Sequence, residues 1–259
     1  MRRIDGISYA PEHGFRGLGD LYLPAQPEGA PAALVIHGGG WNAMDKSGLA
    51  GIAELLCEQG YGAFNVNYRL LDQAPWPACG DDCLRAARYL LEGGHPSMAP
   101  LNRSKILIAG ASAGGHLALM TGLRLPPAQV RAIVCMAGPA DLVLSGESKG
   151  LQRFAKFLGV PNEQAVTAEA LRAASPIGLV TSQAPPLLCI HSVNDRLVVP
   201  EQSLRISKAW IEAGVPAELF SYRGPGEQHG FWDPETADPR RLLPEPAAAL
   251  VAFARRMTR

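Results

Sequence analysis

From Ala32 onward the chain alternates short apolar runs, bounded by glycine and proline, with longer segments whose apolar residues recur at helical spacing. This alternation builds βαβ units around a mostly parallel sheet flanked by helices. Strands are expected at AALVIH, YGAFNVNY, KILIAG, RAIVCMA, PLLCIH and AELFSY, with weaker ones near Ile4–Tyr9 and Asp20–Leu23, about eight in all. Helices are expected near Ser47–Gln59, Pro77–Leu91, Ser112–Leu123, Pro200–Ala213 and Glu245–Arg256; Pro200 opens the fourth and Gly214 closes it. Residues 139–182 break the rhythm, because two short helical patterns around Leu151–Leu158 and Ala165–Ala174 stand where one crossover would serve. Segments leaving the carboxyl ends of parallel strands border the ligand crevice, so this insertion is expected to roof the site as a small helical cap. No linker or repeat divides residues 1–259, and a single α/β domain is expected.

Composition narrows the partners. An apolar share of 47 % with 19 % charged residues excludes disorder, collagen and coiled coil. Basic and acidic side chains balance at 24 each, and no basic block exceeds the pair Arg240 and Arg241. Such a surface offers no footprint for nucleic acid or an anionic membrane, so a small neutral molecule is the expected partner. The two arginines near the start precede no apolar run, and neither signal peptide nor membrane span is expected. The cysteines, Cys57, Cys79, Cys83, Cys135 and Cys189, are odd in number and scattered, which points to reduced thiols and a cytoplasmic location. Cys79 and Cys83 stand one helical turn apart in CGDDC, but two thiolates without further nearby ligands make a poor metal site, and a helix start is the better reading.

The segment KILIAGASAGGHLALM sets Gly110-Ala111-Ser112-Ala113-Gly114, a G-x-S-x-G pattern, between an apolar strand and a helix-period run. A serine on so sharp a strand-to-helix turn sits in strained backbone, and its neighbours must be nearly free of side chains. Gly110, Ala111, Ala113, Gly114 and Gly115 meet that demand, while the helix start offers amides, including that of Ala113, to charge developing on a bound carbonyl oxygen. Upstream, AALVIH runs into His37-Gly38-Gly39-Gly40-Trp41, whose glycines let bare backbone approach a ligand. A phosphate loop is excluded there, since Asp45 stands where G-x-x-x-x-G-K-S needs its second glycine.

A serine nucleophile needs a base. Of the histidines, His37 belongs to the glycine turn, His116 to the serine's own helix, His13 to the N-terminal hairpin and His95 to a loop at the far end of a helix. His191 and His229 follow late strands, and His229, in the glycine-rich loop RGPGEQHGFW, is best placed to reach the sheet's carboxyl edge. The orienting carboxylate should fall between serine and histidine in the chain. Asp195 does, after the strand PLLCI, with Glu201, Glu227 and Asp233 as lesser candidates.

With HGGGW, GASAGGHLAL, Asp195 and His229 in this order, the chain resembles the α/β-hydrolase fold over about residues 20–256. Within that fold it is similar to the hormone-sensitive-lipase-like and carbohydrate-esterase-like carboxylesterases, as are its NYRL at Asn67–Leu70 and its Pro77–Asp82 helix start. Ala111 departs from the GDSAGG of hormone-sensitive-lipase-like enzymes and, with Gly115-His116-Leu117, draws the chain toward small esterases and kynurenine formamidases. The latter read HGGYW where this chain reads HGGGW. The resemblance implies Ser112 as nucleophile, His229 as base and then acid, Asp195 as its orienter, and the amides of Gly39, Gly40 and Ala113 as oxyanion hole. It places Trp41 and Trp232 beside the substrate. The implied reaction is two-step acyl transfer on short, water-soluble esters such as acetylated sugars or small aromatic esters, with no metal or organic cofactor. An arylformamidase using the same residues is the alternative, and a non-catalytic binding module of this fold a more distant one.

Overall fold

The computed structural model describes residues 1–224, 229–232 and 239–258. The described residues form eight strands: β1 Arg2–Ser8, β2 Leu18–Leu23, β3 Pro31–Ile36, β4 Gly62–Val66, β5 Asn102–Ala111, β6 Val130–Met136, β7 Leu187–Ser192 and β8 Ala217–Tyr222. They make one sheet in the order β1-β2-β4-β3-β5-β6-β7-β8. The β1–β2 and β2–β4 pairs are antiparallel, and the rest are parallel. Each expected strand is present, including the two weak ones.

Alternation along the strands divides the core. Ala32, Leu34, Ile36, Ile106, Ile108, Ile133 and Cys135 face a layer holding α2 Ala78–Glu92, α3 Ala113–Arg124 and α7 Glu201–Glu212. Ala33, Val35, Leu107, Ala109, Ala132 and Val134 face α1 Ala50–Glu58 and α8 Pro244–Met257. Burial on both faces is why the central strands read as unbroken apolar runs. No helix among the described residues is long and apolar enough to cross a membrane, and the five cysteines are free and buried.

The insertion contains three helices, α4 Leu142–Lys149, α5 Gln152–Leu158 and α6 Ala168–Ala173. The first was not expected. Its N-cap is Asp141, whose carboxylate accepts from the amides of Val143 and Leu144, and Gln202 on α7 braces it by accepting from the amides of Ala140 and Asp141. Leu142, Phe154, Phe157 and Leu171 join the core on the α2–α3–α7 side. The insertion therefore buttresses that layer.

Connections leave β3 toward β4 on one side and return past β3 to β5 on the other, so the carboxyl ends of β3 and β5 flank the point where the winding reverses. Ligands of open α/β sheets bind at such a point.

Candidate active site

Ser112 stands directly after β5, at φ 55 and ψ −124, in the left-handed half of backbone space. A residue with a β-carbon held there stores about 1–3 kcal/mol of strain. The turn closes only because its neighbours are bare. A β-carbon on Gly110 would lie 2.1 Å from the Gly114 carbonyl oxygen, and one on Gly114 2.1 Å from that of Ile36. The Ser112 amide donates to the Met136 carbonyl at 2.7 Å, which ties the turn to the end of β6.

The Ser112 hydroxyl lies 2.8 Å from His229 Nε2, and His229 Nδ1 lies 2.8 Å from Asp195 Oδ2. Asp195 is buried, and its other oxygen accepts from the amides of Leu197 and Val198, each at 2.9 Å. Burial alone would push this carboxyl up; hydrogen bonds from His191 and His229, the attraction of His229 and the loop amides outweigh it and hold the group at about 2. A carboxylate that stays ionised keeps Nδ1 of His229 protonated, leaving Nε2 bare toward the serine hydroxyl.

The glycine turn after β3 faces this serine. Gly38 must be glycine, since a β-carbon would lie 2.8 Å from the Ala111 carbonyl oxygen, while Gly39 and Gly40 hold φ of 102 and 59. The buried Tyr68 hydroxyl fixes the turn by donating to the carbonyls of His37 at 3.0 Å and Gly38 at 3.1 Å. Among the described residues the amides of Gly39, Gly40 and Ala113 meet no protein acceptor, so all three remain available as donors.

A cavity of about 250 Å³ opens over Ser112. Gly38, Gly39, Gly40 and His229 line it with the serine; Met44, Leu49, Met136, Leu197, Phe231 and Trp232 supply apolar walls, and Arg240 also reaches its lining. Trp232 is among these lining residues. Trp41 is not: its ring is buried against Phe157 and its indole N–H donates to His116 Nδ1 at 3.3 Å. No residue of the insertion lines the cavity among those described, so the expected roof is a correction too. The apolar walls escaped the sequence reading, although Met136 ends a central strand and Leu197 and Phe231 stand two residues beyond Asp195 and His229.

The other histidines do different work. His116 Nε2 donates to the Ala174 carbonyl at 2.9 Å, and burial depresses the ring to about 4. His37 stacks on Tyr68 at 4.2 Å and is likewise lowered by burial to about 4. His13 approaches the buried Asp82 carboxylate at 3.4 Å, and His95 caps a short turn through Ser97. Glu201 pairs with Arg205 on the exposed face of α7, and Glu227 and Asp233 lie outside the described residues. Lys46, from the rejected phosphate loop, is committed to Asp20 at 2.8 Å. Cys79 and Cys83 are buried in the first two turns of α2.

The BD-FAE family model matches residues 19–210, from β2 to the end of α7. The chain belongs to the BD-FAE family. Relatives of this BD-FAE chain in Mycobacterium tuberculosis include Esterase LipC, 30 % identical over 234 residues (81 % of this chain, 54 % of that protein), and Esterase LipQ, 27 % identical over 248 residues (88 % and 57 %). The chain therefore spans a little over half the length of these curated relatives. Among solved structures, a truncated carbohydrate esterase from gut microbiota superposes with a TM-score of 0.82 at 23 % identity, covering 100 % of this chain and 96 % of that one. An esterase from Pyrobaculum calidifontis gives 0.75 at 22 % identity, covering 99 % and 85 %. These likenesses establish the α/β-hydrolase fold that the sequence motifs resemble.

Proposed function

We propose that this BD-FAE family member is a carboxylesterase that hydrolyses short-acyl esters through an acyl-enzyme on Ser112. The observation that carries the proposal is the unbroken line from Ser112 Oγ through His229 to Asp195, with both contacts at 2.8 Å, set on a strained turn beside free amides. Such a line answers each demand of acyl transfer. His229 Nε2 takes the serine proton as Oγ attacks the ester carbonyl. The oxyanion that forms is held by the amides of Ala113, Gly39 and Gly40, donors that need no reorganisation during the reaction. Collapse expels the alcohol, which leaves with the proton from His229; water then repeats the sequence and frees Ser112. Similarity to two proteins named esterases supports ester hydrolysis as the reaction class.

Cavity size and lining support the substrate class. About 250 Å³ with apolar walls falls below the roughly 300 Å³ at which drug-sized pockets begin, and suits a small acyl or aromatic group better than a fatty chain. The test is turnover of a p-nitrophenyl ester ladder from acetate to decanoate by wild type and Ser112→Ala, with mass spectrometry after a serine-reactive phosphonate. The expected result is a short-chain optimum, abolished in the variant, and one adduct on Ser112. Undiminished turnover by Ser112→Ala would end the mechanism, and faster turnover of N-formylkynurenine than of any short ester would replace the substrate class.

A further inference from the structure

His191 is the penultimate residue of β7, four residues before Asp195, and is buried. Its ring nitrogens have opposite partners. Nδ1 lies 2.7 Å from the Ser203 hydroxyl on α7, a group that can donate or accept. Nε2 lies 2.8 Å from the Val198 carbonyl, which can only accept. Two acceptors cannot share that contact, so the proton of the neutral ring is on Nε2, and Nδ1 accepts from Ser203. Nε2 itself also stands 3.3 Å from Asp195 Oδ2, the oxygen that receives His229.

A closed ring of contacts follows. The Val198 amide donates to Asp195 Oδ1 while the Val198 carbonyl accepts from His191, so one imidazole holds the turn that carries the carboxylate from both ends. We infer that His191 is a positioning residue for the esterase reaction, orienting Asp195 through its Nε2–H and sharing the charge on Oδ2 with His229. The groups facing Asp195 are His191 from β7, His229 across the cleft, and the amides of Leu197 and Val198 from its own turn; Arg196, next in the chain, is exposed. Ser203 faces His191 from α7, beside the Cys189 thiol. The His191 contact is the largest influence holding the Asp195 carboxyl down against its burial, in keeping with its approach to the charged oxygen.

The inference rests on the acyl-enzyme reading, and two isosteric amides separate them. Glutamine at position 191 sets an N–H near the place of Nε2, whereas asparagine reaches only as far as Nδ1. His191→Asn is therefore expected to lower kcat for p-nitrophenyl acetate about tenfold with KM little changed, as loss of an outer hydrogen-bond partner does elsewhere. Its acid limb of kcat/KM should move to higher pH, because an Asp195 oxygen with one donor fewer concentrates its charge on the His229 imidazolium. His191→Gln should restore both readouts. Equal losses in the two variants, or wild-type behaviour in both, would overturn the inference while leaving Ser112 chemistry standing. Should the asparagine variant not fold, the imidazole ¹⁵N spectrum of the wild type decides: a protonated Nε2 on His191 is expected, and a protonated Nδ1 would refute it.

Discussion

Gly114→Ala sets one methyl group against the joint between the two halves of the donor set. The new β-carbon would lie 2.1 Å from the Ile36 carbonyl oxygen and 2.4 Å from that of His37, both rigid backbone atoms. Real β-carbons essentially never come within 3.0 Å of a heavy atom, so the start of α3 and the end of β3 must part by about 0.9 Å. Ala113 rides on one of these elements, and Gly39 and Gly40 follow the other. A misplacement of this order costs about 10²-fold in rate, and forced repacking costs about 1–3 kcal/mol in stability. Steady-state kinetics on p-nitrophenyl acetate with a thermal melt would read both. Gly178→Ala is the control, because its nearest atom is 3.9 Å away. Near wild-type kcat in a Gly114→Ala protein of unchanged melting temperature would refute the claim that this contact sets the spacing of the donors.

Asp195→Asn should retain the fold yet lose about 10³- to 10⁴-fold in kcat, because an amide no longer enforces a protonated Nδ1 on His229; a loss under tenfold would count against its orienting role. Acid should weaken the fold through His37 and His116, whose folded values are lowered to about 4 from 6.5. A base with a depressed folded value lets the unfolded chain bind protons first, so stability is full above about 6.5 and falls as pH drops toward 4, by up to about 3 kcal/mol per ring. Urea midpoints from pH 7 to 4.5 should show this decline, and His116→Phe should remove roughly half of it; an unchanged slope would refute the assignment. Trp232→Ala opens the cavity wall and should move the ester-ladder optimum toward longer chains, whereas an unmoved optimum would place the acyl group elsewhere.

The sheet was legible because its signals are local. A strand buried on both faces must read as an unbroken apolar run, as KILIAG and RAIVCMA do, and each ends at a turn residue. The line from Ser112 through His229 to Asp195 was legible for a different reason. G-x-S-x-G is a steric necessity at Ser112, and chain order then leaves few candidates for acid and base. Helix α4 was harder, since LVLSGESK carries little helical periodicity and its start is braced by Gln202, about 60 positions further along the chain. No local pattern announces such a partner. His191 was weighed only as a rival base, because a buried tautomer is set by Val198 and Ser203 together and not by the histidine's own neighbours.

Trp41 and the insertion were misplaced for a linked physical reason. Adjacency to Gly40 fixes where the backbone of Trp41 lies but not where its ring goes, and φ of 60 at Trp41 is part of the turn out of the glycine segment. The ring finds His116 on α3 and Phe157 on α5, and His116 reaches on to the carbonyl of Ala174 after α6. Trp76 stacks on the same Phe157 at 5.4 Å. One aromatic cluster therefore takes both the tryptophan and the insertion away from the cavity and fastens them to the α2–α3–α7 layer. Leu142, Phe154, Phe157 and Leu171 of the insertion are buried there, which removes the driving force for them to close over Ser112. The cavity is lined by the segments after β3, β5, β6, β7 and β8, so under the proposed reaction changes to acyl preference belong at Met44, Leu197 and Trp232 and not in α5 or α6.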